Sequence, residues 1–195
     1  MSNFVDIIGD IVTHVRHEYD EDMAQPYYLY GHPLEIFNIL AEKSKSETFK
    51  YSKYPLIALF QDFEEQNTKN TSTVNNVTIV IMTETSRTFV APTRYETTFT
   101  PILQPIYELF IKHLKRSIYV TSKDFEHTKI DRLYWGKEGA FGNDANIGNE
   151  ALDAIVISGL SLRMVQNCKD VPTYRITEDD SYRITEDNKL RILEN

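Results

Sequence analysis

Apolar residues return along the start of the chain at three- and four-residue steps: Phe4, Ile7, Ile8, Ile11, Val12, Val15 and Tyr19. That spacing puts them on one face of a helix and predicts one over residues 3–19. Asn3 suits its N-cap, and Asp6 lies in the first turn, where the positive end of the helix dipole favours a carboxylate. The acidic run Asp20-Glu21-Asp22 predicts an exit into a loop. YYLY (27–30) predicts a short aromatic strand stopped by Gly31. His32-Pro33 then opens a short helix whose apolar side is Leu34, Ile36, Phe37 and Leu40, with the proline at a position that needs no donor. KSKSETFKYSK (43–53) is charged without an apolar period and predicts a surface loop.

The pattern is strongest between Tyr54 and Ser117. LIALF (56–60) is continuously apolar, as expected of a strand covered on both faces, with Pro55 tolerated at its first residue. NTKNTST (67–73) predicts a loop, and Asn75-Asn76 lead into VTIVIM, rich in β-branched residues. A hairpin between these two strands is the expected pairing, across a long connection. SRTFVAPTRYE (86–96) predicts a second connection. From Tyr95 the helical period resumes through Phe99, Ile102, Leu103, Ile106, Leu109, Phe110 and Leu114. Pro101 and Pro105 each remove a backbone donor, which predicts a broken or kinked first part and a clean helix from Pro105 to Ser117. Lys112, Lys115 and Arg116 sit where the helix C-terminus favours cations.

Phe125–Asn149, with glycines at 136, 139, 142 and 148, predicts a long irregular region. Leu152–Met164 predicts a strand. Its apolar positions change parity, from Ile155 and Ile157 to Leu160, Leu162 and Met164, which predicts a bend at Gly159. The tail repeats every eight residues: YRITEDDS (174–181), YRITEDNK (182–189), then the shorter LRILEN (190–195). Three-residue loops at 179–181 and 187–189 set Ile176 opposite Ile184 and Ile184 opposite Ile192, with one apolar and one polar side. Such a meander holds too little core to stand alone. Tyr174, Ile176, Tyr182, Ile184, Leu190 and Ile192 are therefore expected to form an interface, and the chain divides into a domain (1–170) and an arm (171–195). The predicted class is α/β (α+β): a small, mostly antiparallel sheet with a long helix packed on it, an N-terminal helix, and a C-terminal β-hairpin or meander extension.

Composition narrows the function. The 195 residues are 41% hydrophobic and 26% charged, a globular balance. A net charge of −8 argues against a nucleic-acid binder, which needs clustered cations to neutralise phosphates. It does not exclude a protein that DNA slides past, since an acidic wall repels phosphate and avoids trapping it. Cys168 is the single cysteine, so neither an intrachain disulfide nor a zinc site built on two cysteines is possible. A reducing cytoplasm is the expected site of synthesis. The first residues carry no basic, apolar leader pattern, and no run of about 20 apolar residues predicts a membrane span.

The search for chemistry is short. His14 and His17 have helical spacing for a metal, but Arg16 and Glu18 beside them predict a solvated helix face. Gly136–Gly142 lacks the GK[ST] ending of a phosphate loop and precedes a strand instead of following one. Asp62, Glu64 and Glu65 could serve a metal-dependent nuclease, which needs carboxylates on adjacent strands and a nearby lysine. The second strand offers only Glu84, at its far end. Cys168 has no evident histidine partner, and Trp135 with the tyrosines predicts packing in preference to sugar binding. The expectation is no enzyme, no cofactor and no metal.

The order of elements, with the phrases YGHPLEI, YPLIALFQDF and LDAIVISGL, resembles the tail-terminator and head-to-tail connector proteins of tailed bacteriophages, particularly crAss-like and related phages. The resemblance covers residues 3–167. It implies a sheet with a long helix across one face and a subunit that closes into a homo-oligomeric ring, a hexamer or dodecamer, in the phage neck or tail. The ring would surround the DNA passage and contact portal, connector and tail proteins, with no membrane involved and no catalytic residues to assign. The 118–150 insertion and the repeat arm go beyond the compact family core. Two alternatives come from other classes: a nucleic-acid-processing enzyme using Asp62, Glu64 and Glu65, and a cytoplasmic module that binds a peptide along a sheet edge.

Overall fold

The computed structural model describes residues 3–19, 23–45, 52–68, 71–133 and 151–165. In chain order the elements are helix α1 (Phe4–Glu18), strand β1 (Tyr27–Gly31) and helix α2 (Pro33–Ser44), then strands β2 (Leu56–Phe60), β3 (Glu64–Asn67) and β4 (Thr71–Glu84). A helical stretch follows as α3 (Ala91–Arg94), a π-helical segment (Tyr95–Leu103) and α4 (Gln104–Arg116). Strands β5 (Val120–Thr121), β6 (Thr128–Arg132) and β7 (Leu152–Val165) complete the described chain. The class is mixed α+β: a mostly antiparallel sheet, a long helix packed on it, and an N-terminal helix.

The sheet is built around β4 and β7, which pair antiparallel over their length. β2 and β3 both pair with β4, as successive parts of one flank, while β5 and β6 both pair with β7 on the other. β1 adds outside β2, the one parallel pairing among the described residues. The hairpin expected between LIALF and VTIVIM is present, with Leu56 opposite Met82 and Phe60 opposite Thr78. The loop expected at 67–73 is a correction. Asn67 ends β3, Thr71 already begins β4, and Thr68 closes the turn by donating its N–H to the Thr71 carbonyl at 2.8 Å. Thr71 and Thr73 keep one side of the strand polar while Val74 is buried, so a half-solvated strand carries a loop-like composition.

The parity change in β7 has its cause in two bulges. Between the pairs Val74↔Leu162 and Val77↔Leu160, β4 carries an extra residue, and Asn76 there takes φ 58°. Between Val77↔Leu160 and Ile79↔Ile157 the extra residue is on β7, where Gly159 takes φ 75°. The insertions lie on opposite strands and cancel, so Val74, Val77, Ile79 and Ile81 share a buried face with Leu162, Leu160, Ile157 and Ile155. The bend expected at Gly159 is there. Nothing lies within 4 Å of a Cβ built on Gly159. Gly159→Ala is therefore expected to lower stability by about 1–2 kcal/mol through backbone strain alone, and Gly159→Asn by less, in urea denaturation. Equal losses for both would mean that packing, not φ, sets the cost.

The connection expected over 86–96 is shorter, because helix begins at Ala91 and runs without interruption to Arg116. Pro92 lies in the first turn, where no donor is needed. Around Pro101 the winding widens, and the N–H of Gln104 reaches the Phe99 carbonyl five residues back. A π-type turn absorbs the missing proline donor, so the expected break becomes a change of pitch. Phe99, Leu103, Ile106, Phe110 and Leu114 on this helix, with the apolar face of α1, cover one side of the sheet.

The other side carries Leu56, Ala58, Phe60, Val80, Met82, Leu152 and Ala154, packed against Ile36, Phe37 and Leu40 of α2. LIALF is thus buried on both faces, as its composition requires. Leu34 is not part of this contact; it is 57% exposed at the start of α2, one turn from the sheet-facing residues. Asn3 and His32 cap their helices through side-chain bonds to the N–H of Val5 and Leu34. Two further expectations change. Lys53, in the stretch read as surface loop, is buried and donates to Ser44 Oγ at 2.7 Å. Thr128–Arg132, in the stretch read as irregular, is β6, held by pairing with residues Ala154 to Ser158.

Candidate functional site

The residues singled out for chemistry do not converge. Asp62 lies in the step between β2 and β3, and Glu64 and Glu65 are consecutive on β3, so their side chains leave opposite faces of the strand. Glu65 accepts a hydrogen bond from Ser72 Oγ at 2.7 Å. Glu84 sits at the far end of β4, away from the β3 pairing at Ser72–Asn75. Among the described residues no three His, Cys, Asp or Glu side chains gather as metal ligands.

His14 and His17 are both exposed on α1. His14 stacks on His113 of α4, with ring centroids 5.7 Å apart. His113 Nε2 lies 2.8 Å from Glu18 Oε2, and Lys112 donates to the other oxygen of that carboxylate. The cluster ties the C-terminal end of α1 to α4. The bond from Lys112, against desolvation and with smaller help from the Lys112 charge and the His113 bond, holds the Glu18 carboxyl below its ordinary range. A lowered folded-state value stabilises above the ordinary carboxylate range and is lost as pH falls through it. Glu18→Gln is therefore expected to flatten the acid side of the stability–pH curve slightly while leaving neutral stability nearly unchanged, since the pair is solvated. A thermal melt series between neutral and acid pH reads this directly.

The most elaborate polar arrangement is one the sequence reading missed. Arg94, at the end of α3, is fully buried and donates from Nη1 to Asp153 Oδ1 at 2.6 Å. Its Nε and Nη2 donate to the carbonyls of Phe89 and Ser86 at 2.9 and 2.8 Å. Asp153 Oδ2 accepts from Thr98 Oγ1 at 3.0 Å. One guanidinium thus joins the β4–α3 connection, the start of the long helix and the start of β7. These partners are backbone carbonyls and side chains of the chain itself. This is a structural lock. Asp153 offered a signal in LDAIVI, where a carboxylate inside an apolar strand requires a buried partner.

A second seam joins the long helix to β6. Tyr95 donates to Asp131 Oδ2 at 2.6 Å, Lys129 reaches both Asp131 and Gln104, and Tyr107 pairs with His127 at 2.8 Å. The bond to Asp131 raises the Tyr95 phenol above its ordinary range, and burial does the same for Tyr107.

β1 forms an outer edge of the sheet, and its Tyr30 is 51% exposed. The expected interface residues Tyr174, Ile176, Tyr182, Ile184, Leu190 and Ile192 lie outside the described residues, as do Gly136–Gly142, Trp135 and Cys168. No helix among the described residues is long and apolar enough to cross a membrane. No protein-family model matches the chain, and a search of curated proteins finds no significant match.

Proposed function

We propose that this chain is a structural subunit of a tailed-phage neck or tail, acting as a tail-terminator or head-to-tail connector by closing into a homo-oligomeric ring around the DNA passage. The observation that carries this reading is architectural. A sheet with a long helix along one face, preceded by an N-terminal helix, is what the resemblance implies, and the described chain has that form. The net charge of −8 supports a passage that releases DNA without specific binding. The ring's other partners are the portal or connector on the head side and the tail proteins beyond, all within the virion. The function is placement, with no reaction assigned to any residue.

The nuclease alternative draws no support from the divergent directions of Glu64 and Glu65. Negative-stain imaging of the purified full chain tests the ring: annular particles with an open centre are expected. Particles of single-subunit size at every salt and protein concentration would overturn it.

A further inference from the structure

The long helix carries a hollow near its start and a projection at its end. The hollow is a groove of about 480 Å³ between the end of α1 and the helix, floored by Tyr19, Met23, Pro101, Pro105 and Leu109. Pro101 belongs to the π-helical segment, a winding that recurs at functional sites. The rim carries Glu18 and Glu108, with Lys112 beside them already bonded to Glu18. In sequence three more carboxylates, Asp20, Glu21 and Asp22, separate Tyr19 from Met23. The groove presents an apolar floor under an acidic rim.

The projection is apolar with a basic flank. Ile118 is 60% exposed and Tyr119 37%, the one adjacent pair of large exposed apolar residues among the described residues. Their turn is pinned at both ends. Leu114 before it and Val120 after it are buried, and the N–H of Ser117 and of Tyr119 bond the Leu114 carbonyl and Ser117 Oγ, each at 3.3 Å. Lys115 and Arg116, both exposed, precede the pair. We propose that this knob seats in the groove of a neighbouring copy of the chain, with Ile118 and Tyr119 on the apolar floor and Lys115 and Arg116 toward the acidic rim. The inference rests on the ring reading above and adds a contact within the domain to the one expected of the arm. A tyrosine in a pocket is a common interface anchor, and opposite charges around it set orientation more than affinity.

A chain's own knob cannot fill its own groove. Lys129, paired with Ile157, reaches Gln104 beside the groove, whereas Val120 next to the knob pairs with Met164. From Ile157 to Met164 is seven residues of one strand, roughly 20 Å. Helix and strands hold both ends in place, so the two surfaces never meet within one copy. Knob and groove are also different surfaces, which makes the contact head-to-tail. Each copy gives its knob to one neighbour and its groove to another, and such contacts close into a ring when the rotation permits. A self-complementary pairing would stop at two.

Full chains carrying Glu108→Cys and Ile118→Cys together, in a Cys168→Ser background, test this. Both positions are exposed, and they lie too far apart for a bond within one chain, which needs Cα atoms within about 7 Å. After mild oxidation, non-reducing gels are expected to show a ladder of linked chains that ends at the ring number. Its yield should exceed by about tenfold that of a control pairing Ile118→Cys with Glu42→Cys, which is exposed on α2. A ladder that stops at two, or a yield at control level, overturns the proposal. A full chain with Ile118→Asp should keep its circular dichroism, because that side chain is exposed, and associate about tenfold more weakly; unchanged association overturns the contact. Native mass spectrometry of the unoxidised samples separates the failures. An intact ring without the ladder defeats this contact alone and leaves the groove to another occupant, and monomer throughout defeats the ring as well.

Discussion

Asp153→Ala is expected to lower stability by about 3–5 kcal/mol, because it takes the Asp153 carboxylate away from a buried guanidinium. Side-chain exposure is 1% for Arg94 and 0% for Asp153, so water cannot replace the lost carboxylate. The carbonyls of Ser86 and Phe89 still hold the other nitrogens, which prevents the arginine from swinging out cheaply. Domains of this size are stable by about 5–15 kcal/mol, so the loss is a large share. Removing both charges has a different outcome. Arg94→Met with Asp153→Leu is expected to lose less than Asp153→Ala, since no charge stays buried, the remaining cost falling on the Ser86 and Phe89 carbonyls and the Thr98 hydroxyl that lose these partners. Urea denaturation of the two single variants and the double measures the coupling. A loss below about 1 kcal/mol for Asp153→Ala would show that the arginine finds solvent, and the lock would be no lock.

Truncation after Asp170 is expected to have the largest effect on assembly. The described domain already fills both sides of its sheet without the arm: α1 and the long helix on one, α2 on the other. The shortened chain should therefore fold with an unchanged cooperative transition, yet lose the ring. A truncated chain that aggregates outright would place the arm in the domain's own core. Circular dichroism with sedimentation distinguishes the two.

How far the sequence speaks depends on whether a signal is local. LIALF carries no polar residue, and that alone states burial on both faces. The parity switch around Gly159 announced a bulge before its partner strand was known, because only an inserted residue keeps Ile157 and Leu160 on one side. The start of β4 was hidden because Thr71, Ser72 and Thr73 are polar, and pairing with β3 and β7 extends them. Pro101 marks the disturbed winding in the sequence, but the π-type turn that keeps the helix continuous there has no sequence mark. Arg94 and Asp153 are separated by 59 positions, and only tertiary structure brings them together. The role of YYLY as an edge was equally invisible, since it depends on which strand takes the far side of β2. The expected interface on the repeat arm lies outside the described residues.

The central claim is that this chain works through copies arranged about an axis. Native mass spectrometry of the full chain tests it most directly. One discrete species at a fixed multiple of the 22.7 kDa chain is expected, the hexamer or dodecamer that the resemblance implies. A single 22.7 kDa species at every concentration and ionic strength would contradict it.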